Sequence, residues 1–386
     1  MNLEHINLAI CSTGELYGGV EQFIYTFSNY LKHAPEGFNR GNETKANFIV
    51  ILFNKGLLYE KLKEANIETH IISSGFKYNI GVIRQIRKLF KEKKINVVHT
   101  HGYKANILCS IAAKACNAKI IKTEHGKIEP STGYSRFKMQ INHKIDRLIS
   151  KLLFDEIVFV SKDIESYYKR YYKNIKSTVI YNGIPRIEVN SDKNLQGFDY
   201  NAFNIGIVGR LTEVKGHIFL LKALRNLIDL GNIKLNIFGN GQLEEELRDY
   251  CNKNGISNIV TFHGFKENIH DYMAVLDLLV MPSLHEGMPY VLLEAMYLRV
   301  PVIASDVGGL KEILENNVDA ILVPPADEEK LTNAIGYLYK NPELREQFKK
   351  SIYKKVSERF LIGKMTDKYI NVYQKVINRA KSINSA

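Results

Sequence analysis

A chain of 386 residues, 45% hydrophobic and 24% charged, has ordinary globular composition, which excludes a fibrous, collagen-like or disordered protein. Its formal charge of +12 lies in residues 1–190, which hold 29 Lys and Arg against 17 Asp and Glu, while the remainder balances at 24 against 24; the two halves are therefore expected to meet different partners. Cys11, Cys109, Cys116 and Cys251 form no C-x-x-C pair and show no metal-ligand spacing, which fits free thiols in a reducing compartment.

The opening MNLEHINLAI has no basic segment and no small-residue cleavage site, so no signal peptide is predicted. No apolar run approaches the roughly 20 residues of a membrane span. The expected location is cytoplasmic, or peripheral on the inner face of the membrane. Short β-branched runs predict strands at Ile6–Cys11, Phe48–Phe53, Ile67–Ile72, Ile95–His99, Lys119–Thr123, Glu156–Val160 and Thr178–Tyr181. Helical patterns lie at Val20–His33, Ile80–Lys94, Lys104–Cys116, Arg136–Leu152 and Lys162–Tyr172. After the aperiodic polar stretch Arg186–Asn201, read as a linker, the alternation restarts. Strands are predicted at Phe203–Val208, Lys234–Phe238, Asn258–Phe262, Leu278–Met281, Val300–Ala304 and Ala320–Val323. Helices are predicted at Gly216–Leu230, Leu243–Asn254, Glu267–Val275, Pro289–Leu298 and Gly309–Glu315, and from Asp327 onward with a break at Pro342.

Such alternation predicts an α/β protein of two Rossmann-like, doubly wound parallel-sheet domains facing an interdomain cleft. The expected division is an N-terminal domain over 1–190, a second over 191–363, and a C-terminal helix over 364–386 that packs on either. Open sheets of this kind bind ligands at the carboxyl ends of their strands, and the chemistry-bearing motifs follow strands.

The first loop ends in Gly18-Gly19 before a helix; glycines permit close backbone approach and a helix start favours an anion, although a bare tight turn reads equally well. Gly209-Arg210-Leu211-Thr212-Glu213-Val214-Lys215-Gly216 sets two cations at the mouth of the second sheet. Arginine forks onto phosphate oxygens and lysine acts as a point charge; the plain alternative is a solvated turn. Phe238-Gly239-Asn240-Gly241 lacks the third glycine of a dinucleotide fingerprint, and the first domain has no such motif, which argues against hydride transfer. The richest stretch is Ser283-Leu284-His285-Glu286-Gly287-Met288-Pro289-Tyr290-Val291-Leu292-Leu293-Glu294. Pro289 suits a first helical position, leaving the Tyr290 and Val291 N–H groups for a phosphate. Glu286 before it and Glu294 inside it can accept from sugar and ribose hydroxyls. The alternative is a helix start and a surface ion pair.

Taken in order, Gly18-Gly19-Val20-Glu21, Thr123-Glu124-His125-Gly126, Tyr181-Asn182-Gly183-Ile184, Gly209-Arg210 with Lys215-Gly216, Glu286 and Glu294 with seven residues between, and Gly308-Gly309 resemble the retaining glycosyltransferases of family GT4, which have the two-domain GT-B fold. The resemblance implies that Arg210 and Lys215 hold a donor diphosphate and stabilise the leaving group. It implies that Glu294 binds the ribose, Glu286 the transferred sugar, and His263-Gly264-Phe265 the base. Gly287, Met288, Pro289, Tyr290 and Val291 complete the donor site, Gly19 approaches the phosphate from the other domain, and His125 lies near the reacting carbon. Gly308-Gly309 would be packing around the site.

A lone histidine after a strand is often structural, so for His125 both readings stand. His99 and His101 end another strand in Val98-His99-Thr100-His101-Gly102; no Cys or carboxylate cluster completes a metal site, and an acceptor-side loop with Gly18, His101 and Tyr103 is expected instead. The chain has no Asp-x-Asp, so metal-independent transfer is expected, with no cofactor beyond a nucleoside-diphosphate sugar as co-substrate. A UDP-sugar and a glycan or lipid-linked acceptor in cell-envelope polysaccharide synthesis are the expected substrates of a hexosyl transfer. The segment Asn79–Lys94 carries Arg84, Arg87, Lys88, Lys91, Lys93 and Lys94 opposite Ile80, Val82, Ile83, Ile86, Leu89 and Phe90. It suits an anionic membrane surface or a core-packed helix with a solvated basic face. No nucleic-acid motif accompanies the charge. A sugar-nucleotide epimerase on the same fold, or a catalytically silent binding protein, are the alternatives.

Overall fold

A computed structural model describes residues 6–14, 18–33, 47–73, 79–127, 133–190, 195 and 197–384. The chain divides into two compact units, Met1–Pro185 with Ile362–Ala386, and Arg186–Leu361. The first unit holds, among the described residues, β1 (Asn7–Ser12), α1 (Gly19–His33), β2 (Asn47–Leu52), α2 (Leu57–Glu64), β3 (Thr69–Ile71), α3 (Ile80–Glu92), β4 (Val97–His101), α4 (Tyr103–Lys114), β5 (Lys119–Glu124), α5 (Gly133–Leu153), β6 (Glu156–Phe159), α6 (Lys162–Lys169) and β7 (Ser177–Val179). The second holds β8 (Phe203–Val208), α7 (His217–Arg225), β9 (Ile233–Phe238), α8 (Glu244–Lys253), β10 (Val260–Gly264), α9 (Ile269–Ala274), β11 (Leu278–Met281), α10 (Tyr290–Tyr297), β12 (Val302–Ser305), α11 (Leu310–Ile313), β13 (Ile321–Val323), α12 (Glu328–Lys340) and α13 (Pro342–Arg359). The helix α14 (Ile362–Asn384) returns to the first unit.

Both sheets are parallel, in the orders β3-β2-β1-β4-β5-β6-β7 and β10-β9-β8-β11-β12-β13. Strands covered on both faces carry continuous apolar runs; Leu8–Cys11 of β1 and the whole of β11 are buried. The winding reverses between β1 and β4 in one unit and between β8 and β11 in the other. Loops leaving the carboxyl ends at these reversals diverge and open a crevice, and they carry the motifs above. Helix starts follow local chemistry: Asn79, Ser161 and Asp327 cap α3, α6 and α12 by accepting from Gly81, Ile164 and Lys330 N–H groups, and Pro342 opens α13.

One element is new, and two readings that the sequence left open are decided. The helix α2 was not foreseen; its eight residues bury only Leu58 and Leu62, too few to set a period. The apolar face of α3 is core, with Val82, Ile86 and Phe90 buried, so that face is closed to a bilayer. The C-terminal helix, which the sequence let pack on either domain, lies with the first unit: Tyr369 and Tyr373 of α14 are fully buried, with the Tyr369 ring 5.3 Å from Phe23 and 5.4 Å from Phe27 of α1.

Candidate functional site

In the second unit, five loops at the carboxyl ends of β8 to β12 are knitted together. The chain leaves β8 through Gly209 and the exposed Arg210, then makes a single 3-10 turn, Glu213–Lys215. The Leu284 N–H donates to the Val214 carbonyl at 2.8 Å, tying the loop after β11 to that turn. Gly216 follows with φ +69, and a Cβ there would lie 2.1 Å from the Pro282 carbonyl oxygen. Only glycine allows both the left-handed backbone and this approach. On the other side the Gly309 N–H donates to the Glu286 carbonyl at 3.1 Å, and a Cβ on Gly309 would lie 1.7 Å from the Gly287 oxygen. The loop from Pro282 to Met288 is thus held between two glycine contacts.

That loop presents Glu286. Its Oε1 accepts from Lys215 Nζ at 2.6 Å and from Ser283 Oγ at 2.7 Å, so one cation, one carboxylate and one hydroxyl share a point beside the β8–β11 reversal. Pro289 sits one position earlier than expected. With ψ 131 it is the N-cap of α10, and Tyr290 opens the helix. The first turn of any α-helix aims N–H groups without intrahelical acceptors, here from Tyr290 and Val291. Glu294 lies one turn inside and is buried, with Oε1 3.3 Å from His270 Nε2 of α9. Gly264 ends β10, its carbonyl accepting from Gly239 N–H. Phe265 is half-exposed beyond it, and His263 stacks on Phe238 at 4.6 Å and bonds Asn236 at 2.8 Å. Ser283 and His270 escaped the sequence reading. Ser283 is close in sequence to Glu286 but unremarkable; His270 is brought to Glu294 only by the packing of α9 on α10.

In the first unit, Gly18 N–H donates to Glu21 Oε2 at 3.1 Å. Gly19 opens α1, and among the described residues nothing lies within 4 Å of where its Cβ would be. Residues 15–17 of that loop lie outside the described residues. Tyr103 opens α4, its ring 5.9 Å from His143. His101 differs most from its expected place. It is fully buried on β4, not on an acceptor-side surface, and its Nδ1 lies 2.9 Å from His125 Nε2. The physical reason is the register of β4 against β5, which pairs His101 with Thr123 and sets it behind the loop carrying His125. His99 shares hydrogen bonds of 2.8 Å with Thr123 Oγ1 and with the Tyr373 hydroxyl. Tyr369 reaches Thr123 at 3.2 Å. Burial lowers the His99 imidazole to about 3, and holds His101 and His125 below the usual range. All three are neutral at pH 7 and serve as hydrogen-bonding groups, not cations. On the opposite face of β5, buried Lys122 is held by Glu124 at 2.7 Å, Asp146 at 3.1 Å and the Tyr172 hydroxyl at 2.9 Å. This fixes β5 to α5 just before His125.

Among the described residues no group of three or more His, Cys, Asp or Glu is placed to hold a metal ion, and no helix is long and apolar enough to cross a membrane.

Comparison with known proteins converges on one family. The model for "Glycosyltransferase Family 4" matches residues 17–186, and that for "Glycosyl transferases group 1" matches residues 190–355. The chain is 28% identical over 321 residues to the Escherichia coli UDP-Gal:alpha-D-GlcNAc-diphosphoundecaprenol alpha-1,3-galactosyltransferase, covering 78% of this chain and 82% of that one. It is 26% identical over 384 residues to the Campylobacter jejuni GalNAc-alpha-(1->4)-GalNAc-alpha-(1->3)-diNAcBac-PP-undecaprenol alpha-1,4-N-acetyl-D-galactosaminyltransferase, covering 94% and 96%. Among solved structures, Anabaena HepE in complex with UDP and glucose superposes with a TM-score of 0.81 at 19% identity, over 96% of this chain and 100% of that one. The two parallel-sheet units are those of the GT-B fold.

Proposed function

We propose, on the premise that this chain belongs to the group 1, family 4 glycosyltransferases, that it transfers a hexosyl unit from a UDP-sugar to a hydroxyl of a glycan or lipid-linked acceptor in cell-envelope polysaccharide synthesis. Transfer proceeds with retention and without a metal ion. The observation that carries the reading is the cluster of Lys215, Glu286 and Ser283 at the β8–β11 reversal, next to Arg210 and the start of α10.

The chemical demand is a departing diphosphate and an electron-poor anomeric carbon. Arg210, Lys215 and the N–H groups opening α10 are fixed positive groups that stabilise the growing charge, and fixed dipoles need no reorganisation during reaction. Lys215 bridges the leaving phosphate and Glu286, whose second oxygen takes sugar hydroxyls. Gly287, Met288, Pro289, Tyr290 and Val291 form the phosphate-side wall. Glu294, buried one helical turn below, takes the ribose hydroxyls; His263, Gly264 and Phe265 take the base. Gly19, in the first turn of α1, is the residue of the first unit assigned to the phosphate. His125, neutral, offers a hydrogen bond to the transferred sugar, and Gly18 and Tyr103 belong to the acceptor side. The leaving phosphate accepts the acceptor proton, so no separate base is required. The choice of UDP and of a lipid-linked acceptor is supported by the relatives, one named for UDP-Gal and a diphosphoundecaprenol acceptor and another crystallised with UDP.

A thermal-shift panel of UDP-, GDP- and ADP-sugars tests this. A ligand at a hundredfold its Kd adds about 2.7 kcal/mol to the folded state, so UDP-sugars should raise the melting temperature most. A folded protein stabilised by none of the three would end the transferase reading.

The first unit also docks on an anionic membrane surface. Its helix α4 packs between α3 and α5. The outward faces carry Arg84, Arg87, Lys88 and Lys91 on α3 and Lys144 and Lys151 on α5. Beside the lysines of α5 stand Ile141, Leu148 and Leu152, the last two 57% and 69% exposed. Apolar side chains at helical spacing amid cations match a bilayer interface, which takes both. Binding to anionic vesicles should weaken with salt, and Leu148→Glu with Leu152→Glu should weaken it about tenfold or more. No binding at low salt, or binding indifferent to both changes, removes the membrane from the scheme.

A further inference from the structure

The His101–His125 contact determines what His125 can offer a substrate, an inference that rests on the reading of His125 as a sugar contact. His101 Nδ1 and His125 Nε2 are 2.9 Å apart, a hydrogen bond that needs one proton between two neutral rings. Neither ring is loosely held. Phe23 lies 5.0 Å from His101 and 5.2 Å from His125, ring to ring, and His99 lies 4.2 Å from His101.

Two proton placements satisfy the contact. In one, His125 is protonated on Nε2 and donates to His101, which must then carry its own proton on Nε2. That atom is buried and has no hydrogen-bond partner among the described residues, and a buried donor without an acceptor is the costly kind of orphan. In the other, His101 is protonated on Nδ1 and donates to His125, leaving only a lone pair at its buried Nε2. We propose that the second arrangement holds: His101 is a positioning residue that locks His125 as the Nδ1–H tautomer. His125 then presents an N–H donor from a half-buried ring, suited to a sugar oxygen, and not a basic nitrogen that would take a proton from a hydroxyl. Which ring nitrogen is free is set by the bond the other makes. Burial keeps both rings neutral, which fits this division of roles.

The test is long-range proton–nitrogen NMR on the full chain labelled with 15N-histidine, with His125 and His101 signals assigned by His125→Gln and His101→Gln. The expected result is His125 protonated on Nδ1 in the unaltered protein and on Nε2 in His101→Leu, whose side chain cannot donate. His101→Gln can donate from its amide and should keep the Nδ1–H form. In kinetics His101→Leu should lower kcat about tenfold with donor KM little changed, the scale of one neutral hydrogen bond, while His101→Gln stays near the unaltered rate. His125 protonated on Nε2 in the unaltered protein, or a tautomer unmoved by His101→Leu, overturns the proposal. A fully active His125→Ala enzyme alongside an Nδ1–H spectrum instead rejects the sugar-contact reading while the hydrogen-bond assignment stands.

Discussion

Changing Lys215 to alanine is expected to lower kcat for sugar transfer by about a hundredfold to a thousandfold, the scale of removing one fixed group that stabilises transition-state charge. The structure adds a second consequence. Lys215 Nζ is 2.6 Å from Glu286 Oε1, and that carboxylate is largely buried, so removing the cation leaves it, among the described residues, with the Ser283 hydroxyl. A buried polar group deprived of its partner costs about 1–3 kcal/mol, and the variant should melt earlier. The two effects are separable. Lys215→Ala with Glu286→Gln removes the unpaired charge and should regain much of the lost stability, yet transfer should stay low because the leaving group still lacks its cation. Full activity in Lys215→Ala, measured as nucleotide release in the presence of acceptor, would exclude it from the chemistry.

Gly309→Ala should have an effect of comparable size by a different route. The added methyl would meet the Gly287 carbonyl at 1.7 Å, closer than any real contact, and the obstacle is backbone that cannot swing aside. The loop carrying Glu286 must move, and the hydrogen bond from Gly309 N–H to the Glu286 carbonyl breaks with it. Overpacking of this kind costs about 1–3 kcal/mol. Nucleotide affinity measured by calorimetry should fall at least about tenfold, a shift of roughly 1.4 kcal/mol. Gly336→Ala is the control. It lies inside α12, where the new methyl would sit 3.7 Å from Leu227, ordinary contact, and alanine is the better helix former. Equal affinity in the two variants would mean that the loop tolerates displacement and that its fixed position is unimportant.

The contrast between these residues shows what a sequence discloses. Strands such as Phe203–Val208 and Leu278–Met281 were legible to the residue, because a strand buried on both faces writes itself as an unbroken apolar run. The positions of Arg210, Lys215, Glu286 and Glu294, as candidates, were legible because each lies in or beside a loop that follows such a strand. Boundaries were less so: a proline tolerates both the cap and the first helical turn, and Pro289 took the cap. What stayed hidden was set by pairing between distant segments. Nothing near His101 announces that β5 will carry His125 to within hydrogen-bonding distance, or that α14, more than 240 residues away, will cover His99 and Thr123 with two tyrosines. The basic amphipathic pattern of α3 read the same for a bilayer or a core, and packing chose the core for its apolar face. The exposed leucines of α5 could be told from buried ones only once α4 had taken its place beside them.

The return of α14 to the first unit has a consequence for biosynthesis. A ribosome makes all of Arg186–Leu361, a continuous stretch with its own sheet, before it makes the helix that completes the earlier-made unit. Domains generally fold as units while the chain is being synthesised. The later-made unit can therefore settle first, while its predecessor waits with Phe23, Phe27 and His99 uncovered until Tyr369 and Tyr373 emerge. Nascent chains halted before Ile362 should accordingly recruit chaperones through that uncovered face.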